Sequence, residues 1–64
     1  MKIKFQGKEI ETQAASVAEL LKEAGVAANA VIEHNGEIYS STSQWSATLS
    51  EGDEINAFQI VSGG

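Results

Sequence analysis

Gly63 and Gly64 close the sequence, and they have its clearest capacity for chemistry. A glycine pair has no Cβ, so it can pass through a narrow cleft and let another surface approach its backbone closely. Such a tail would present the α-carboxylate of Gly64, a group that a partner enzyme can activate. The side chains offer little else. With no cysteine there is no thiol nucleophile, no disulfide and no thiolate metal site. The single histidine, His34, cannot form a zinc site by itself. No nucleophile–base pair is visible, and no glycine-rich loop precedes a helix to cradle phosphate. The expectation is therefore no catalytic residue and no metal ligand. Gly64 would then be the reactive end of a tail that includes Ser62 and Gly63; the alternative is a frayed terminus of no consequence.

Length and charge narrow the setting. The 64 residues make one domain at most, expected as a folded unit over residues 1–60 with a flexible tail over 61–64. So short a chain builds a modest core, and without cysteine no disulfide can staple it. The N-terminal Met1-Lys2-Ile3-Lys4-Phe5 alternates in polarity and lacks the apolar stretch of a signal peptide. No run approaches a membrane span. A soluble, cytoplasmic protein is expected. Nine acidic residues face four lysines and no arginine, a net charge of −5. Nucleic-acid binding depends on cations that neutralise phosphates, so nucleic acid is an unsuitable partner and a basic protein surface a suitable one.

The elements that must carry the tail follow from periodicity. Lys2–Gln6 and Glu9–Thr12 alternate polar and apolar residues with Ile3, Phe5 and Ile10 inward, a hairpin turning at Gly7-Lys8. Ser16-Val17-Ala18-Glu19 reads as a helix capping box. Val17, Leu20, Leu21 and Ala24 then form one apolar stripe, and Gly25 stands where a left-handed cap ends a helix, giving a helix over 17–24. Ala30–His34 reads as a central strand, Asn35-Gly36 as a tight turn and Glu37–Tyr39 as a short return strand. Ser40–Ser46 is a loop or single helical turn pinned by Trp45. Leu49 and the turn Glu51-Gly52-Asp53 lead into a last strand over 54–60. The class is α+β: one mixed sheet in ββαββ order with one helix on one face. The expected core is Ile3, Phe5, Val17, Leu20, Leu21, Ile32, Leu49 and Ile55.

Several motifs together carry a family resemblance. Asn35-Gly36-Glu37, Gln44-Trp45, Gly52-Asp53-Glu54-Ile55 and the terminal run from Phe58 to Gly64 resemble the ubiquitin-like β-grasp sulfur carriers, most closely the ThiS family of thiamine thiazole biosynthesis. The resemblance spans the whole chain. The molybdopterin-synthase small subunits share its fold and tail but tend to be longer. Ser40-Ser41 stands where the family often has Pro-Arg, one extra residue precedes Trp45, and Ser62 replaces a third glycine. The resemblance implies that the chain binds no cofactor. A ThiF-like adenylyltransferase of the ubiquitin-activating type would use ATP to adenylate Gly64. A persulfide donor would then supply sulfur, and a thiocarboxylate at Gly64 would serve a sulfur-accepting enzyme such as thiazole synthase. The same activated glycine could instead serve molybdopterin synthesis, amino-acid sulfur delivery or conjugation to lysine, and a non-covalent binding module would leave it unused.

Other residues divide between structural and docking roles. In the last strand, alternation sets Ile55 and Ala57 on one face and Phe58 and Ile60 on the other. If Ile55 faces the helix, Phe58 and Ile60 face outward beside the tail as a partner-docking patch; the alternative is a strand apolar on both faces. His34 is expected as a strand residue with a solvated ring. Glu51, Asp53 and Glu54 are expected as a solvated turn, or as acids that steer a basic partner.

Overall fold

Alternating segments become hairpins only where the chain can reverse tightly, and here both reversals use residues at positive φ. The computed structural model describes residues 1–58. Strands β1 (Lys2–Phe5) and β2 (Lys8–Glu11) pair antiparallel with Phe5 opposite Lys8. Gln6 and Gly7, at φ 54° and 82°, therefore make the turn, one residue earlier than the sequence suggests. A two-residue hairpin turn whose central residues both have positive φ matches the twist of its strands; glycine fits its second position, and the pairing of Phe5 with Lys8 leaves Gln6 as its first. Strands β3 (Val31–His34) and β4 (Glu37–Tyr39) are joined the same way by Asn35 and Gly36, at φ 52° and 90°.

Between the hairpins lies helix α1 (Val17–Ala24), with the bounds its apolar stripe predicts. The Ser16 side chain accepts from the Glu19 N–H at 3.3 Å. The returning Glu19 carboxylate takes the N–H of Ala15 at 3.1 Å, one residue farther back than a standard capping box. Gly25 closes the helix at φ 75°, its N–H donating to the carbonyls of Leu21 and Lys22. The segment after β4 forms a short 3-10 helix (Thr42–Ser46) with a complete Ser41–Gln44 capping box.

Strand β5 (Glu54–Phe58) occupies the middle of the sheet, whose order is β2-β1-β5-β3-β4. It runs parallel to β1 and antiparallel to β3. β3 has neighbours on both sides, but the central place expected of it belongs to β5. This is the ubiquitin-like β-grasp arrangement anticipated above. One core joins Val17, Leu20 and Leu21 of the helix to Ile3, Ile32 and Ile55 of the sheet, with Leu49 and Trp45 closing its side. Phe5 is only half-buried, because it ends β1 at the rim beside the turn. Ala14, Ala30 and Tyr39 join the core unannounced. The segment that carries Leu49 is tied to the helix start: Val17 N–H donates to Ala47 and Leu49 N–H to Ala15, both at 3.0 Å.

Candidate functional site

Because directly paired strand residues share a face, the register fixes what the side of the sheet away from the helix displays. Ile55 is fully buried, so Phe58, three residues on, points outward, and it is 53% exposed. Val31 stands opposite Phe58, and Glu33 is opposite both Asn56 and Ile38. Ile38 is likewise 54% exposed. Phe58 and Val31 thus form an apolar pair at one end of the outer face, and Ile38 stands apart from them on β4, directly beside Glu33. Of these three, sequence reasoning singled out only Phe58. The signal for Ile38 was available in its alternation with inward Tyr39. The rest of the face is charged: Lys2 pairs with Glu11, and Lys4 lies between Glu9 and Glu54.

A side chain holds the last described turn of β5 in place. β1 ends at Phe5, so beyond it β5 lacks a strand neighbour on that side. Gln6 substitutes for one: its Nε2 donates to the Ala57 carbonyl at 2.9 Å, and its Oε1 accepts the Ala57 N–H at 3.1 Å. Across the strand, Asn56 Nδ2 donates to Glu33 Oε1 at 2.9 Å. The backbone leading to Phe58 is therefore anchored on both flanks. Of the predicted site residues, Ile60, Ser62, Gly63 and Gly64 lie outside the described residues.

The opposite end of β5 departs from expectation. His34 does not have a solvated ring; its side chain is 10% exposed. Its Nε2 meets Asp53 Oδ2 at 2.8 Å and its Nδ1 meets the Tyr39 hydroxyl at 2.8 Å. Asp53 is an acceptor-only carboxylate, so Nε2 donates to it, and in the neutral ring Nδ1 accepts from the Tyr39 hydroxyl. Asp53 is no solvated turn acid either, at 12% side-chain exposure. The residues lie side by side because His34 pairs with Ile55 across the strands, which brings the turn before β5 beneath the β3–β4 hairpin. Glu51 and Glu54 are exposed, as expected. Burial of the Tyr39 hydroxyl, together with Glu37 and Asp53 nearby, raises its pKa above the ordinary value.

Burial is the largest single influence on the Asp53 carboxyl and pushes it up. Donation from Asn35, from His34 and from the Ser50 N–H together outweighs burial, so Asp53 titrates below its ordinary value. A carboxyl depressed in the folded state stabilises the fold above its unfolded pKa, about 3.9, and loses that contribution as pH falls through the lower folded value. The urea midpoint of the wild type should therefore fall over this acid window more steeply than that of Asp53→Asn. Parallel pH profiles for the two proteins would show that Asp53 contributes no such linkage.

Among the described residues no cavity opens, and no three His, Cys, Asp or Glu side chains gather to hold a metal. No described helix is long and apolar enough to cross a membrane. What the site offers is an anchored strand with an apolar outer patch, followed in sequence by Ser62-Gly63-Gly64.

No curated protein matches the sequence. Among solved structures it is similar to the thiamine biosynthesis protein (ThiS) from Geobacter metallireducens, at 29% identity over all of both chains and a TM-score of 0.78. The model of the ThiS family matches residues 2–64, which includes the glycine pair. The family resemblance read from the motifs, the sheet order and these likenesses agree: the chain belongs to the ThiS family.

Proposed function

We infer that this protein is a sulfur carrier of thiamine biosynthesis, and that Gly64 is the residue that carries the sulfur. The observation that supports this most is the family match over residues 2–64, continuous through Ser62-Gly63-Gly64. A carboxylate is a poor electrophile because it is anionic. In the proposed sequence a Gly64 carboxylate oxygen attacks the α-phosphate of ATP on a ThiF-like adenylyltransferase, and pyrophosphate leaves. The terminal sulfur of a persulfide then attacks the acyl carbon and AMP leaves. A thiol cleaves the remaining S–S bond, releasing the thiocarboxylate and a disulfide. Thiazole synthase is the proposed acceptor. The carrier acts as co-substrate rather than enzyme, and the catalytic groups come from its partners.

The outer face of β5 is the proposed docking surface for the activating partner. Phe58 stands exposed next to the tail in sequence, with Val31 opposite it on β3. A contact of this kind depends on a few apolar anchors. Phe58→Asp would place a charge in that contact, where desolvation is costly. The variant should fold with an unchanged urea midpoint, because Phe58 is outside the core cluster. It should bind the activating enzyme more weakly by about 2 kcal/mol or more, roughly thirtyfold in Kd. Unfolding of the Phe58→Asp chain would make Phe58 structural; a chain that folds and binds normally would remove the patch from the docking surface. Pyrophosphate release from ATP, dependent on both proteins, tests the adenylation step itself. Its absence with the cognate activating enzyme would count against the reading.

A further inference from the structure

The Asn35-Gly36 turn carries a chemical liability that the structure holds in check. An asparagine followed by glycine can cyclise. The Gly36 backbone nitrogen loses its proton to solvent base and attacks Asn35 Cγ, and the Cγ–Nδ2 bond breaks to release ammonia. Water then opens the succinimide, leaving aspartate or, if the main-chain carbonyl is cleaved, isoaspartate. Both residues are exposed, so water and base can reach the turn. Exposure alone would make this a fast site.

The Asn35 side chain, however, is fixed at both ends. Its Nδ2 donates to Asp53 Oδ1 at 3.0 Å, and its Oδ1 accepts the Glu54 N–H at 2.8 Å. Its backbone N–H donates to the Glu54 carbonyl at 2.9 Å. Asp53 is itself held by the Ser50 N–H and by His34, both at 2.8 Å. Cyclisation requires Cγ to turn toward the Gly36 nitrogen, which means leaving both partners. The product would also set a carboxylate where Nδ2 now meets Asp53 Oδ1, replacing donation with like-charge repulsion. Isoaspartate would in addition lengthen the backbone within the turn.

We propose that Asn35 is a latent deamidation site, closed in the folded protein by its bonds to Asp53 and Glu54 and open once this corner unfolds. The residue then records time spent unfolded. A chain converted there loses the bond to Asp53 and re-forms the junction between the β3–β4 hairpin and the start of β5 less stably.

The test compares the full chain in mildly alkaline buffer with and without denaturing guanidinium chloride, following the Asn35 peptide by mass spectrometry for the amide-to-acid change. The native chain should convert more slowly by over about tenfold, since reaction must await local opening. Equal rates would overturn the proposal. Asp53→Ala, which removes the Nδ2 acceptor, should accelerate conversion without denaturant; an unchanged native rate would also count against it. Should Asp53→Ala fail to fold, an exchange of side chains decides. Asn35→Asp should lower the urea midpoint. Adding Asp53→Asn should restore it, because the exchanged pair can re-form each bond: the new carboxylate accepts from Glu54 and from the new amide, whose oxygen still accepts from Ser50 and His34. A double variant no more stable than the sum of its single changes would show that the two side chains are not coupled.

Discussion

Deletion of Gly64 will abolish adenylation while leaving the urea midpoint unchanged. Among the described residues the buried core extends from Ile3 to Ile55, and a glycine has no side chain to add to it. The deletion does move the chain's carboxylate back by one residue, about 3.3–3.6 Å in an extended backbone. In-line attack on phosphorus requires the reacting atoms within about 3–3.5 Å of each other and aligned, so a shift of that size takes the carboxylate out of reach. Gly63→Val tests the same demand through shape. The carboxylate keeps its distance from the domain, but a β-branched side chain now sits in a channel suited to a bare backbone. Both variants should fold, both should keep the Phe58 contact, and neither should release pyrophosphate. A deletion variant adenylated at the wild-type rate would refute this geometry.

Leu20→Ala will cost about 2–5 kcal/mol of folding stability. Leu20 is 2% exposed and lies on the helix stripe that meets Ile3, Ile32 and Ile55. Truncation loses the transfer of its methyl groups out of water and leaves a cavity that a rigid sheet closes only in part. A natural domain has only about 5–15 kcal/mol in hand, so this one change takes a large share. The effect should appear as a lower urea midpoint with an unchanged slope. An unaltered midpoint would mean that the helix does not seal the core. The contrast with Gly64 is informative, because it separates what the domain is from what it delivers.

Local features of this fold were legible in sequence, and long-range ones were not. Helix α1 was readable to the residue because its stripe, its Ser16 cap and its Gly25 stop agree on one answer. Asn35-Gly36 identified its turn because few residue pairs accept positive φ twice. Gly7 was read correctly as a turn residue, but nothing local says whether its partner in the bend is Gln6 or Lys8; strand pairing decides that. His34 and Asp53 were misread as solvated because their partners lie 5 to 19 residues away. The β3–β4 hairpin brings Tyr39 to His34, and only the β3–β5 pairing brings Asp53 to His34 and Asn35. Phe5 and Tyr39 show the same limit: alternation gives a side chain its face, while burial also depends on where the strand ends and what covers it. At the candidate site, alternation placed Phe58 outward correctly, whereas Gln6 bonding to Ala57 rests on a contact 51 residues apart that no spacing rule anticipates.

The measurement that bears most directly on the carrier function is intact-mass spectrometry of this protein after incubation with ATP, its activating enzyme and a persulfide donor. The expected product carries sulfur in place of one carboxylate oxygen, and fragmentation assigns that change to Gly64. The Gly64-deleted chain under the same conditions should stay unmodified. A wild-type chain that gains no sulfur but is recovered from cells joined to lysine side chains would contradict the account and make the protein a modifier rather than a sulfur carrier.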